Sequence, residues 1–298
     1  MVIFSDLHAH NFLAYSEDRL GIMKNVLAEI LQKARDTDKI VLFCGDITHK
    51  HGYIPTTVFL ALHEVIASFP DVMIYAISGN HDHATKNYLT SVAVSSIDVF
   101  SKSLPNFKNI DFKISLIGGY HVVGVPYFHD NADFYRLLAT VNTSPNIFEQ
   151  PQKTILLAHQ TPVGIFNSFI PADVDINHEY MQKFDYVFFG HIHRYQDFGN
   201  NRFMVGNPMV QDDSDIGNPK GYLELVDGVV TQHIIKTELD STLLDAKKDF
   251  KVMSSEKKAV ATIDPDFYSG NILDKYNAFC KAAALSESLI NVGKTLIQ

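Results

Sequence analysis

The sequence predicts an α/β protein built on a largely parallel sheet. Three observations predict it. Short apolar runs alternate with segments of helical periodicity through the first 80 residues. Several of those runs are apolar almost throughout, as strands covered on both faces are. The chain has 298 residues, 46% of them hydrophobic, enough to bury a sizeable core.

The elements follow in order. VIFSD at 2–6 reads as a strand ending in a polar cluster. Leu20, Met23, Leu27, Ile30, Leu31 and Ala34 then recur at helical spacing, with Ser16 as the expected N-cap. KIVLFCGD at 39–46 is a second strand, and Pro55 opens a second helix. VMIYAISGNHD at 72–82 is a third strand. Residues 111–128 read as two strands about Gly118-Gly119, and 132–141 as a helix. KTILLAHQ at 153–160 and DYVFFGHIH at 185–193 are two more buried strands. NRFMVGNP at 201–208 and the run 221–237 read as antiparallel strands, the latter folded at Asp227-Gly228. Past residue 238 the chain becomes charged and weakly periodic, so a boundary is expected there.

Composition narrows the function. No apolar run approaches the ~18 residues of a membrane span, and MVIFSDLHAH lacks the features of a signal peptide. The two cysteines, Cys44 and Cys280, form no Cys-x-x-Cys motif, which points to a reducing cytoplasm. A net charge of −9 argues against gripping nucleic acid by bulk electrostatics alone. The anomaly is 14 histidines, many at the ends of apolar runs.

Five such runs end in polar clusters. VIFSDLH brings Asp6 and His8, VLFCGDITH brings Asp46 and His49, and YAISGNHD brings Asn80, His81 and Asp82. ILLAH brings His159, and VFFGHIH brings His191 and His193. Strand C-terminal ends converge at one edge of a parallel sheet. The pairs Asp6/His8 and His191/His193 would point the same way on an extended backbone. Carboxylate, amide and imidazole together suit Mn²⁺, Fe²⁺ or Zn²⁺. Of these ten groups, seven oxygen and nitrogen ligands can converge from the five segments. They exceed one tetrahedral ion and suit two ions ~3.5–4 Å apart, a geometry used on phosphate esters. His10, His51 and His83 flank these motifs. His63, His121, His129, His178 and His233 have no motif context and read as packing or surface residues.

As a set, Asp6-x-His8, Gly45-Asp46, Gly79-Asn80-His81-Asp82, His159 and Gly190-His191-x-His193 resemble the calcineurin-like metallophosphoesterase superfamily over about residues 1–235. That resemblance implies two packed central sheets flanked by helices (α/β/β/α), with a small C-terminal appendage. It implies one ion on Asp6, His8, Asp46 and His193. A second would lie on Asp46, Asn80, His159 and His191, with Asp46 as the bridge. His81 would contact the scissile phosphate, and Asp82 would orient His81.

The chain lacks the Gly-Asp-x-x-Asp-Arg-Gly pattern of the protein Ser/Thr phosphatases. His49, three residues after Asp46, and the stretch 205–228 instead resemble the nuclease subunit of the SbcCD-type double-strand-break repair complex, most like its compact phage members. The implied activity is a Mn²⁺-dependent DNA exo- or endonuclease, with Fe²⁺, Zn²⁺ or Mg²⁺ as other candidates. Its implied partner is an SMC-like coiled-coil ATPase, in the cytoplasm, or the host cytoplasm for a phage protein; a homodimer stays open. Residues 1–238 would form the catalytic domain and 239–298 a reduced cap or partner-binding helical tail. His49 would position the phosphate; His10, Lys50, Lys86, Arg194 and Lys220 are expected substrate contacts. The alternative is a phosphodiesterase or phosphatase for a small phosphoester such as a cyclic nucleotide, which the acidic charge and small cap favour.

Overall fold

In a computed structural model of the chain, the described residues are 1–12, 18–84, 94–143, 147–165, 174–211 and 215–237. They belong to one compact unit, Met1–Leu244. The expected tail 239–298, Ser16 and Lys86 lie outside the described residues.

The unit contains two mixed sheets of six strands each. In the first, β1 (Val2–Phe4), β2 (Ile40–Phe43), β3 (Met73–Ala76) and β4 (Phe107–Asn109) run parallel. The hairpin of β11 (Lys220–Val226) and β12 (Val229–Ile235) joins this sheet antiparallel beside β1. In the second, β6 (Tyr120–Val125), β7 (Thr154–His159), β8 (Tyr186–Gly190) and β10 (Arg202–Met204) run parallel. Antiparallel edges β5 (Ile114–Ile117) and β9 (Gln196–Asp197) close its two sides.

Period-two alternation with both faces covered explains why central strands such as β2 and β7 are apolar almost throughout. In β2 and just beyond, Val41 and Phe43 pack with the helices, while Leu42 and Cys44 pack into the layer between the sheets. In β7, Ile155 and Leu157 join that same middle layer, whereas Leu156 and Ala158 face the opposite helices. Both faces of β2 and β7 are therefore buried. The outer layers are α1 (Arg19–Arg35), α2 (Thr56–Ala67) and α3 (Ser96–Ser103) on the first sheet. On the second they are α4 (Asn131–Thr143) and α5 (Glu179–Gln182). The expected α/β/β/α layering is what the chain adopts, and no described helix is long and apolar enough to cross a membrane.

Some details differ from the sequence reading. The N-cap of α1 is Asp18, whose carboxylate accepts from the Gly21 amide at 3.1 Å. Strand β10 pairs in parallel with β8, because the two-residue β9 has already reversed the chain. The strand β4 and the helix α3 were not anticipated. Ser95 and Asp98 start α3 with a capping box.

Candidate metal centre

The strand ends of β1, β2, β3, β7 and β8 bring all seven expected ligands to one edge. The backbone there is not extended, which corrects the expected origin of the convergence. Asp6 (φ 54°), His8 (φ 45°), Asp46 (φ 61°) and His191 (φ 97°) lie in the left-handed region. Such conformations cost non-glycine residues about 1–3 kcal/mol each and cluster at functional sites. Neighbouring strands hold them there. The Asp6 amide donates to the Gly45 carbonyl and the His8 amide to the Asp46 carbonyl, both at 2.9 Å. The His191 amide reaches across from the second sheet to the Asp6 carboxylate, at 3.1 Å from Oδ2.

Asp46 sits in the middle. Its Oδ2 is 3.4 Å from Nε2 of His8 and 3.4 Å from Nε2 of His159. Its Oδ1 accepts from the His81 amide at 2.8 Å. Gly79 makes this approach possible, since a Cβ there would lie 2.2 Å from Asp46 Oδ1. On one side of Asp46, Nε2 of His193 faces Nε2 of His8 at 3.1 Å. On the other, Asn80 Oδ1 lies 3.1 Å from His159 Nε2 and 2.8 Å from His191 Nδ1.

The donor set fits metal ions. His159 Nδ1 must donate to the Cys44 carbonyl, 2.6 Å away, so in the neutral ring Nε2 presents its lone pair toward Asn80 and Asp46. His193 Nδ1 likewise faces Asp215 Oδ2 at 3.2 Å and turns Nε2 toward His8. Lone pairs thus converge from two sides onto a buried carboxylate. Asp6, His8 and His193 could hold one ion, and Asp46, His159 and His191 another. Burial works against charge on His159, but Asp46 prevails and raises its imidazole to about 9. Burial lowers His8, and it lowers His191 to about 4, with His159 adding to the effect. Burial would raise Asp46, yet His159 and His8 hold it well below the usual carboxylate range. The site draws positive charge to Asp46, whether proton or metal.

Beyond the ligands, Asp82 is buried and accepts from the amides of Asp46 (2.7 Å), Ile47 (3.0 Å) and Gly79 (2.9 Å). It also accepts from Ser96 Oγ at 2.5 Å. Burial and the nearby Asp46 push Asp82 up to about 7 against the pull of these donors. This corrects the expectation that Asp82 orients His81: it pins the loops carrying Asp46 and Asn80. His81 is held instead through Nδ1, which donates to the His49 carbonyl at 2.5 Å.

Other expected site residues fall differently. His49 stands beside His81, ring centroids 5.4 Å apart, and burial lowers its imidazole to about 4. His10 is only 7% exposed, with Nε2 bonded to Arg19 Nε at 3.0 Å; its expected substrate contact is corrected to a support beneath His49. Lys220, expected on DNA, is 2% exposed and paired with Asp215 at 2.7 Å. Lys50 is exposed at the rim, and Arg194 is half-buried after His193. Asp215 was missed; its signal was the acidic run before Lys220 in a stretch already set apart. Of the remaining histidines, His178 caps α5 and His233 pairs with Glu224 at 2.7 Å.

The calcineurin-like phosphoesterase family model matches residues 1–195, about two thirds of the sequence and all of the ligand positions above. The chain belongs to the calcineurin-like phosphoesterase family. It is therefore a metal-dependent phosphoester hydrolase of a dimetal-dependent family. Among solved structures it resembles the TT1561 protein of Thermus thermophilus, with a TM-score of 0.50 and 12% identity. That alignment covers 79% of this chain and 98% of TT1561, and it speaks to the fold alone. No curated protein matches the chain.

Proposed function

We propose that this phosphoesterase is a DNA nuclease of the SbcD type, cutting phosphodiester bonds in recombination or repair alongside an SMC-like coiled-coil ATPase. The observation that carries the reading is the placement of His49 next to His81. With His8, these residues offer three imidazole nitrogens within 4.8 Å of one another. These rings lie at the edge of the candidate metal centre, where a phosphate held by the ions would meet His49 and His81.

Asp6, His8, Asp46 and His193 would hold one divalent ion, and Asp46, Asn80, His159 and His191 the other, Mn²⁺ being the proposed metal. Bound there, such ions supply phosphoryl polarisation and a hydroxide nucleophile at neutral pH. The chain's own residues do the rest. His49 orients the phosphate. The His49 carbonyl fixes His81 by its Nδ1–H, which leaves Nε2 as the atom that exchanges a proton. In its protonated form His81 donates from Nε2 to the departing deoxyribose oxygen. Asp82 keeps the Asp46 and Asn80 loops in register through its backbone hydrogen bonds.

The test compares linear DNA with bis-p-nitrophenyl phosphate, both with Mn²⁺. The proposal expects cleavage of both substrates. Turnover of the small diester without DNA cleavage, even with the ATPase added, would replace it with the small-phosphoester reading that the net charge of −9 favours.

A further inference from the structure

Beside the His49–His81 pair lies a group of rings that the chemistry above does not use. Phe12 is 37% exposed and Tyr53 is 59% exposed. The Lys50 ammonium lies 5.1 Å from the Phe12 ring centre and 6.0 Å from that of Tyr53. Phe12 stacks on His10 at 4.6 Å and meets the edge of His49 at 5.5 Å. His51, also exposed, stacks on His81 at 4.6 Å with its plane 21° away. The apolar surface continues past Tyr53: exposed Val94 and Val99 line the same shallow cavity.

Single exposed aromatics need no explanation. These differ in two ways. Phe12 and Tyr53 share one cation, and Phe12 and His51 each pack against one of the two histidines proposed for the scissile phosphate. Leaving Phe12, Tyr53 and His51 in water gives up apolar burial that a core position would supply. Their faces also match what an unpaired nucleobase presents, a flat π-surface one sugar away from a phosphate. The chain is acidic overall, so bulk charge supplies little affinity for a polyanion. Stacking supplies affinity without charge, and Lys50 adds a single local cation.

We propose that Phe12, Lys50, His51 and Tyr53 form a shelf that receives the unpaired base flanking the scissile phosphate, with Lys50 on the neighbouring phosphate. The proposal rests on the nuclease reading and adds that the substrate strand is unstacked at the site. The shelf sets substrate choice by base stacking, independent of sequence, since every base has a π-face.

The experiment measures equilibrium binding of a short single-stranded oligonucleotide in EDTA, where no strand is cut. It uses the full chain and an identical strand with abasic sites. The wild type is expected to favour the strand with bases. Tyr53→Ala should weaken binding of that strand by about 5- to 150-fold, the range for loss of one stacking partner. It should also erase most of the preference over the abasic strand. Tyr53→Trp should restore the preference, and Phe12→Leu, which keeps bulk without a π-face, should reduce it. Lys50→Met should weaken both strands alike. Equal affinity of the wild type for the two strands, or a preference that survives Tyr53→Ala combined with Phe12→Leu, would overturn the shelf. DNA cleavage with Mn²⁺ is scored separately. Cleavage without base preference removes the shelf alone, and base preference without cleavage removes the nuclease reading alone.

Discussion

Oδ2 of Asp215 lies 3.2 Å from Nδ1 of His193, while Oδ1 of the same carboxylate lies 2.7 Å from Lys220 Nζ. One buried ion pair thereby orients a candidate ligand 22 residues upstream. Asn207 Nδ2 and the Gln211 amide also donate to Asp215 Oδ2, each at 2.8 Å. The carboxylate is fully engaged, and His193 has one ring orientation in which to work.

Asp215→Asn keeps the volume but removes the charge that anchors the His193 Nδ1–H. Loss of such a support lowers metal affinity about 10- to 100-fold. Titration of the metal-free protein with Mn²⁺ should show that loss. Lys220→Met should instead show up in unfolding, because a buried carboxylate left unpaired costs about 3–5 kcal/mol. Unchanged affinity in Asp215→Asn would mean that His193 needs no anchor.

The same pair predicts a pH dependence. Burial would raise Asp215, but the bond to His193 and the Lys220 charge hold it below the usual carboxylate range. A depressed folded-state pKa stabilises the fold above the unfolded value of about 3.9 and ceases to do so as pH falls through the folded value. Thermal stability of the metal-free protein should therefore fall off more steeply below about pH 4 than that of the Asp215→Leu, Lys220→Met double variant. Parallel curves would contradict the assignment.

Asp82 offers a second structural test. Asp82→Ala strands the amides of Asp46, Ile47 and Gly79, each costing about 1–3 kcal/mol when buried without a partner. Gly79→Ala acts at the same place by steric conflict with the Asp46 carboxylate. Both variants should lose stability and metal affinity together. Ser96→Ala removes one donor and should cost about 1 kcal/mol. A stable Asp82→Ala with normal metal binding would remove Asp82 from this role.

How far could the sequence be read? Asp6, His8, Asp46, Asn80, His159, His191 and His193 were legible because each closes an apolar run, and parallel strands deliver their ends to one edge. The left-handed backbone at Asp6, His8 and His191 was not legible, since no glycine marks those positions. The role of Asp82 was misread because adjacency to His81 suggested a pair. In the folded chain the carboxylate turns to the amides of a different loop. Asp215 and Lys220 were hidden for the opposite reason. Charged residues outside a periodic run read as solvated, and only the contacts of Asp215 and Lys220 with His193 and each other reveal that they are buried. Strand β10 was misassigned because a two-residue β9 leaves almost no periodic signal.

His81 separates binding from chemistry. His81→Asn should abolish hydrolysis of bis-p-nitrophenyl phosphate while leaving metal content unchanged, because His81 belongs to neither proposed ligand set. Retained hydrolysis would show that the leaving oxygen takes its proton elsewhere.

Asp46 is the carboxylate at which the two proposed ions would meet. The direct measurement is metal content per chain after equilibration with Mn²⁺ and removal of the free ion. The prediction is two Mn²⁺ in the wild type. His193→Ala and His159→Ala should each fall toward one, and Asp46→Ala should lose both. One ion in the wild type, or two retained in Asp46→Ala, would contradict a centre bridged by that carboxylate.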